Sequence, residues 1–366
     1  MRLLLMLAVT LSGIGISAVG AQDASKGTPT AAEMRPVIEK AVAYLKAHQD
    51  EDGAFSKKLG GPGVAALVTA ALIRHGYADD PVVVKALKFL EGSVKADGGV
   101  YEKSLANYTT SVALLAFKEA NRNGKYDAVV KNAAEFLKTL QNGDENSPDH
   151  GGVGYDGKSR PDLSNTQFFI EALKAAGVPN DDPAMKRAMI FLNRCQNLPG
   201  EHNDQDWAKK VAEDDKGGFV YNPKGRKNGA TPEGGLRSEG GMTYAGLKSF
   251  LYAGVNKDDP RVQAAIKWIA KHYTLDENPG QGQSGLYYYY HTFAKAMDAL
   301  GGGDEFTDAK GQKHNWKREL FEAIKSRQRA DGGWSNSKDL FFEGDSNLCA
   351  AYCLMALSYC KPAGAK

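Results

Sequence analysis

The apolar positions of this chain fall into one phrase repeated six times: Ala41–Gln49, Ala86–Leu90, Ala133–Gln141, Ala188–Gln196, Ala265–Ile269 and Leu320–Gln328. Within each copy apolar residues recur at i, i+3 and i+4, the period of a helix with one buried face. An aromatic column runs through five of the copies at Tyr44, Phe89, Phe136, Phe191 and Trp268. A glycine turn carrying an aromatic or apolar residue follows each copy, as in Asp52-Gly53-Ala54-Phe55, Gly151-Gly152-Val153 and Asp331-Gly332-Gly333-Trp334. After each turn comes a segment that is apolar nearly all round: Val64–His75, Thr110–Ala120, Ser164–Ala176, Met242–Ala253, His291–Leu300 and Asn347–Tyr359. A helix without a polar face has to be enclosed. Six half-exposed helices alternating with six enclosed ones predict an all-α fold, an α6/α6 toroid with the second helix of each pair inside. An open solenoid would need a polar cap at each end, and the last segment here is among the most apolar.

Length adds little to this picture. A chain of 366 residues suggests about two domains, but the repeat count favours a single toroid domain over residues 30–362. The excess of glycine, 41 residues against a usual share of ~7%, is accounted for by the turns. Lys and Arg number 46 against 44 Asp and Glu, for a formal charge of +2. That balance argues against a nucleic-acid partner, which calls for clustered basic residues.

Residues 1–22 read as a signal peptide. Arg2 precedes the apolar run Leu3–Val9, and the stretch Ser17 to Gln22 supplies small residues for signal-peptidase cleavage. The run is short and glycine-interrupted for a membrane span, so export to a periplasmic or secreted location is expected, with an uncleaved anchor as the alternative. Of the four cysteines Cys195, Cys349, Cys353 and Cys360, three share one helix-like segment where i and i+4 positions rarely bridge. Buried free thiols are expected rather than disulfides.

The last copy, Gln328-Arg-Ala-Asp-Gly332-Gly-Trp334, resembles the QW repeat of squalene and terpenoid cyclases and, more weakly, the repeat of protein prenyltransferase β subunits. The resemblance spans essentially the whole chain beyond residue 30. It implies an inner helix ring around an aromatic-lined cavity that takes an isoprenoid or other apolar lipid. The cyclase proton-donor segment is similar to Asp162-Leu163-Ser164-Asn165-Thr166-Gln167; Ser164 stands where the donor acid would be, and a hydroxyl is too weak an acid for that step. The prenyltransferase zinc segments resemble Glu239-Gly240-Gly241 and Tyr290-His291-Thr292, with Gly241 in place of the cysteine. The resemblance therefore implies an incomplete zinc set, and no cofactor is assigned.

The candidate catalytic residues are His291, Glu239 and Asp162, all near expected starts of inner helices. His291 and Glu239 are expected to face each other across one cavity mouth beside Tyr244, because adjacent inner helices pack about 8–10 Å apart. Asn165, Tyr244, Tyr288, Tyr290, Glu343 and Asp345 are candidates to line the cavity. For the acids the plain alternative is helix capping. The polar stretches 197–216 and 222–239 are expected to form loops at the rim, Lys224, Arg226 and Lys227 among them. Three functions remain open: a protein that binds or transforms an isoprenoid or other lipid, a non-catalytic secreted carrier resembling cobalamin carriers, and a carbohydrate-active α6/α6 enzyme. The expected partner is an apolar small molecule or lipid, and association with a membrane surface is left open.

Overall fold

The computed structural model describes residues 27–224 and 229–362. The signal-peptide reading of residues 1–22, and Arg226 and Lys227 of the rim loop, lie outside these residues. The chain runs α1 (Ala31–Ala47), α2 (Lys57–Gly60), α3 (Pro62–Arg74), α4 (Pro81–Gly92), α5 (Ala106–Glu119), α6 (Asp127–Thr139) and α7 (Leu163–Ala175). It continues with α8 (Pro183–Cys195), α9 (Gly240–Tyr252), α10 (Pro260–Lys271), α11 (Leu286–Leu300), β1 (Glu305–Thr307), β2 (Lys313–Asn315), α12 (Trp316–Ser326) and α13 (Ser346–Cys360).

The inner ring is α3, α5, α7, α9, α11 and α13. Each packs against the next, and α13 returns to pack against α3, so the ring closes. The outer helices α1, α4, α6, α8, α10 and α12 lean on the inner helices beside them. This is the all-α double ring that the alternation of apolar patterns predicts. The one sheet among the described residues is the small antiparallel hairpin β1–β2, inserted before α12.

Local chemistry starts the outer helices. In α4, α8 and α10 an aspartate at the N-cap accepts from a backbone N–H and proline takes the first helical position, where its missing N–H costs nothing. Thr30 and Glu33 form a reciprocal capping box on α1.

Two devices tie an outer helix to the next in four of the six repeats. In four repeats a glutamine ends the outer helix and its Nε2 donates twice. Gln49 reaches Gly53 O and Val82 O, Gln141 reaches Gly151 O and Ala184 O, and Gln196 reaches Gly217 O and Arg261 O. Gln328 reaches Gly332 O and Val37 O, both at 2.9 Å, which joins the last outer helix to the first. The turn glycines are held at positive φ against the backbone of the next outer helix. A Cβ on Gly53, Gly151, Gly217 or Gly332 would come within 2.3 Å of a carbonyl oxygen of α4, α8, α10 or α1 respectively, and 1.8 Å in the case of Gly151 and Arg187. Inner-helix threonines fix the turns at Gly98, Gly151 and Gly217 from the other side. Thr110, Thr166 and Thr243 accept from the backbone N–H of Val100, Val153 and Phe219 at 2.9–3.0 Å.

Every inner helix begins earlier than its apolar stretch suggests, and α11 shows why. Gly285 adopts φ +68 at the N-cap, and the carboxylate of Glu343 accepts from the backbone N–H of Tyr288 at 2.8 Å. The tyrosine run 287–290 is thereby wound into the first turns of α11, and His291 is the sixth residue of that helix rather than its start. All four cysteines are free and buried, and burial pushes each thiol upward, out of the reactive range.

Candidate functional site

The first turns of all six inner helices surround a cavity of about 510 Å³ at one end of the ring. Four rings form its aromatic wall. Tyr108 and Phe168 meet edge to face with centroids 5.3 Å apart, Phe168 and Tyr288 lie 6.4 Å apart, and Tyr288 and Tyr352 lie 5.9 Å apart. The Tyr108 and Tyr352 hydroxyls approach to 3.4 Å. Val64, Leu105, Met242 and Leu348 supply aliphatic surface. A lip closes over the mouth from the turn Asp339–Phe341 and Phe342, with Leu340 65% and Phe342 57% exposed. Asn336 pinches the base of this lip by donating from its backbone N–H to Glu343 O and from Nδ2 to Glu343 Oε2, at 2.7 and 2.8 Å.

Polar groups are gathered in one arc of the wall: Tyr155, Ser164, Asn165, Tyr221, Glu239 and Asn278. Behind the arc, Asp162 caps α7. It accepts from Asn165 N and Asn165 Nδ2 at 2.8 Å and from Ser164 Oγ at 2.7 Å. Burial lifts the Asp162 carboxyl above its ordinary value against the pull of these bonds, and burial beside Asp162 raises the Tyr155 and Tyr221 phenols. Glu239 stands at the N-cap position of α9 without capping it. Asn278 does that instead, its Oδ1 accepting from Gly241 N at 2.9 Å, and Gln281 Nε2 donates to Glu239 Oε2.

Of the residues expected in the site, Glu239, Asn165 and Tyr288 line the cavity. Asp162 is turned into the helix cap one layer back. Tyr244 packs between α9 and α11 against Tyr289 and Phe293, with centroids 5.6 and 4.9 Å away. Tyr290 points toward the outer ring, its hydroxyl donating to Leu275 O at 2.5 Å. Glu343 is fully buried as the distant cap of α11, and Asp345 caps α13 by accepting from Leu348 N at 2.9 Å. His291 does not stand across the mouth from Glu239. It lies deeper on the ring axis, against Phe168 and Tyr352 at centroid distances of 6.2 and 5.2 Å, and burial lowers its basicity well below the usual imidazole value.

A family model for the squalene-hopene cyclase C-terminal domain matches residues 59–211. The solved type II terpene cyclase MstE from Scytonema matches with a TM-score of 0.53 at 15% identity, over 90% of this chain and 98% of that one. The chain has the α/α-toroid fold that these cyclases share. The toroid's fold is also similar to an alpha-amylase from Clostridium perfringens, with TM-score 0.58, 12% identity and coverage of 90% and 98%. A possible member of the GH105 family from Klebsiella pneumoniae gives TM-score 0.56 and 12% identity, covering 96% and 98%. No curated protein matches the sequence. At these identities the structural likeness speaks for the fold alone.

The zinc that the prenyltransferase resemblance implies does not fit the residues present. Gly241 offers no thiolate, His291 is away from Glu239, and among the described residues no three His, Cys, Asp or Glu come together as a ligand set. Sequence reasoning missed most of the lining, including Tyr108, Phe168, Tyr352 and the lip at Leu340–Phe342. The pair Phe341-Phe342 inside a polar, glycine-bearing loop was the available signal for the lip.

Proposed function

We propose that the toroid binds a small apolar molecule of the isoprenoid type, its hydrocarbon body against the tyrosine and phenylalanine wall and its polar end against the Tyr155–Glu239 arc. The observation that carries this reading is the lining: rings and aliphatic side chains from all six inner helices, with Glu239 as the one carboxylate among the described lining residues. The volume falls within the range of pockets that enclose drug-sized ligands. A carbohydrate-active role, suggested by the amylase and GH105 likenesses, fits less well. Glycoside hydrolysis in most families works with a pair of carboxylates flanking the bond, and Glu239 is the one carboxylate among the described lining residues. Export through residues 1–22 belongs to the same proposal and is checked by N-terminal sequencing of the mature protein.

The deciding experiment is mass spectrometry of organic-extractable material from the natively purified protein, paired with thermal shifts. Geranylgeraniol or farnesol should raise the melting temperature while maltose and short uronic-acid oligosaccharides leave it unchanged. Ser104 is exposed at the mouth, so Ser104→Trp should abolish the shift without weakening the fold. A shift with the oligosaccharides alone would transfer the toroid to the carbohydrate reading.

A further inference from the structure

Below the cavity the ring axis carries buried charge that the proposed ligand does not use. Lys248 of α9 and Lys295 of α11 both reach Glu171 of α7, Lys248 Nζ to Oε2 and Lys295 Nζ to Oε1, each at 2.5 Å. Lys248 also donates to Gln167 Oε1. All four side chains are buried. Two ammonium groups against one carboxylate leave one net positive charge inside the ring. The neighbouring charges do not offset it. Arg74 is already paired with Glu119 at 2.6 Å and bonded to Tyr359, and the charges felt by Asp298 are those of Lys317 and Arg74.

Hydrogen-bond donors are also in surplus. Among the described residues Gln167 Nε2 has no partner, although its Oε1 fixes that amide at Lys248. Both ring nitrogens of His291 are likewise without partners, and His291 lies one helical turn before Lys295 on the same helix. The ammonium of Lys295 has a single acceptor, Glu171 Oε1. Burying an uncompensated charge is costly, and unsatisfied buried donors add to that cost. Losing a proton from one lysine would relieve the charge but would leave the amide and imidazole N–H groups unmatched. A small anion relieves both.

We infer that the axial cluster of Lys248, Lys295, Gln167 and His291 is a binding site for a small monovalent anion of halide size, separate from the cavity above it. Lys295 Nζ, the unpartnered Gln167 Nε2 and one N–H of His291 would supply the anion's donors, while Glu171 holds the two ammonium groups in place. Burial draws the Lys295 ammonium down only to about 8, so it carries its charge at neutral pH.

The test uses the purified full chain, first in a halide-free gluconate buffer. Bromide or chloride added at constant ionic strength should raise the melting temperature by several degrees and saturate, as binding to the native state alone requires. Lys295→Met leaves the neutral Glu171–Lys248 pair, so it should be more stable than wild type without halide and should not respond to bromide. Crystals grown in bromide should show an anomalous peak at the cluster in the wild-type protein, which decides the matter even if the variant fails to fold. A wild-type melting temperature indifferent to halide, an equal response in Lys295→Met, or a bromide map with no peak there would each overturn the site.

Discussion

Two single residues have roles that their sequence neighbourhoods conceal. Glu343 caps α11 from another segment, and burial pushes its carboxyl from 4.5 up to about 7 against the N–H groups that pull it down. A native value above the unfolded one means that the folded protein binds more protons between those limits. The contribution of Glu343 to stability is therefore greatest below about 4.5 and is lost as pH rises through about 7. Glu343→Gln removes the titration. Its stability relative to wild type should improve by roughly 3 kcal/mol between those pH values, at about 1.4 kcal/mol per unit, and stay level above them. Denaturant unfolding at pH 4.5, 7 and 8 measures this, and a pH-independent difference would show that the carboxyl is not under strain. Ser164 gives the second residue-scale prediction. Its hydroxyl is spent on Asp162, and the aspartate is committed to the α7 cap. Incubation with squalene or its epoxide should yield no cyclised product by gas chromatography.

Between elements, the stabilising unit is the glutamine–glycine joint that links one outer helix to the next. Removing Gln328 leaves the carbonyls of Val37 and Gly332 without their shared donor, for a cost of about 2 kcal/mol. Because that joint closes the ring, Gln328→Ala should also speed amide exchange in α1, and equal protection of α1 in both proteins would contradict the closure role. Gly151→Ala should be worse. Its Cβ would lie 1.8 Å from the Arg187 carbonyl, at φ +81, so α8 would have to move away from the turn. A loss of roughly 3–5 kcal/mol is expected, measured by the same unfolding experiments.

At the scale of the whole molecule, ring closure brings six helix starts to one rim and leaves the lip at 339–342 as the visible gate of the cavity. Leu340 and Phe342 are exposed, so replacing both with serine should change stability by no more than about 0.5 kcal/mol. The same change opens the mouth and should speed uptake and release of an isoprenoid alcohol in a stopped-flow tyrosine-fluorescence assay. Unchanged uptake would mean that the ligand enters elsewhere.

How much of this was legible in the sequence depends on whether a feature was periodic. Helix pairs, glutamines and turn glycines recur in chain order, so a local pattern repeated often enough dictated the double ring without any contact being known. Free burial of Cys349, Cys353 and Cys360 followed from the same helix geometry. The site was legible only to its rim. Glu239, Asn165 and Tyr288 sit at inner-helix starts, which closure brings together. What tertiary structure alone decided is rotation and partnership. A helix that is apolar all round carries no sign of which face looks down the axis, so Tyr288 faces the cavity while Tyr290 turns outward and Tyr244 turns sideways. An acid beside glycine carries no sign of which distant helix start it will satisfy, so Glu343 became a buried cap. Three charges in otherwise apolar segments, Glu171, Lys248 and Lys295, met only because α7, α9 and α11 are neighbours in the ring. Sequence determined the architecture because hydrophobic periodicity is local; side-chain direction and long-range pairing were settled by packing, where each face is fixed by what the neighbouring helix leaves free.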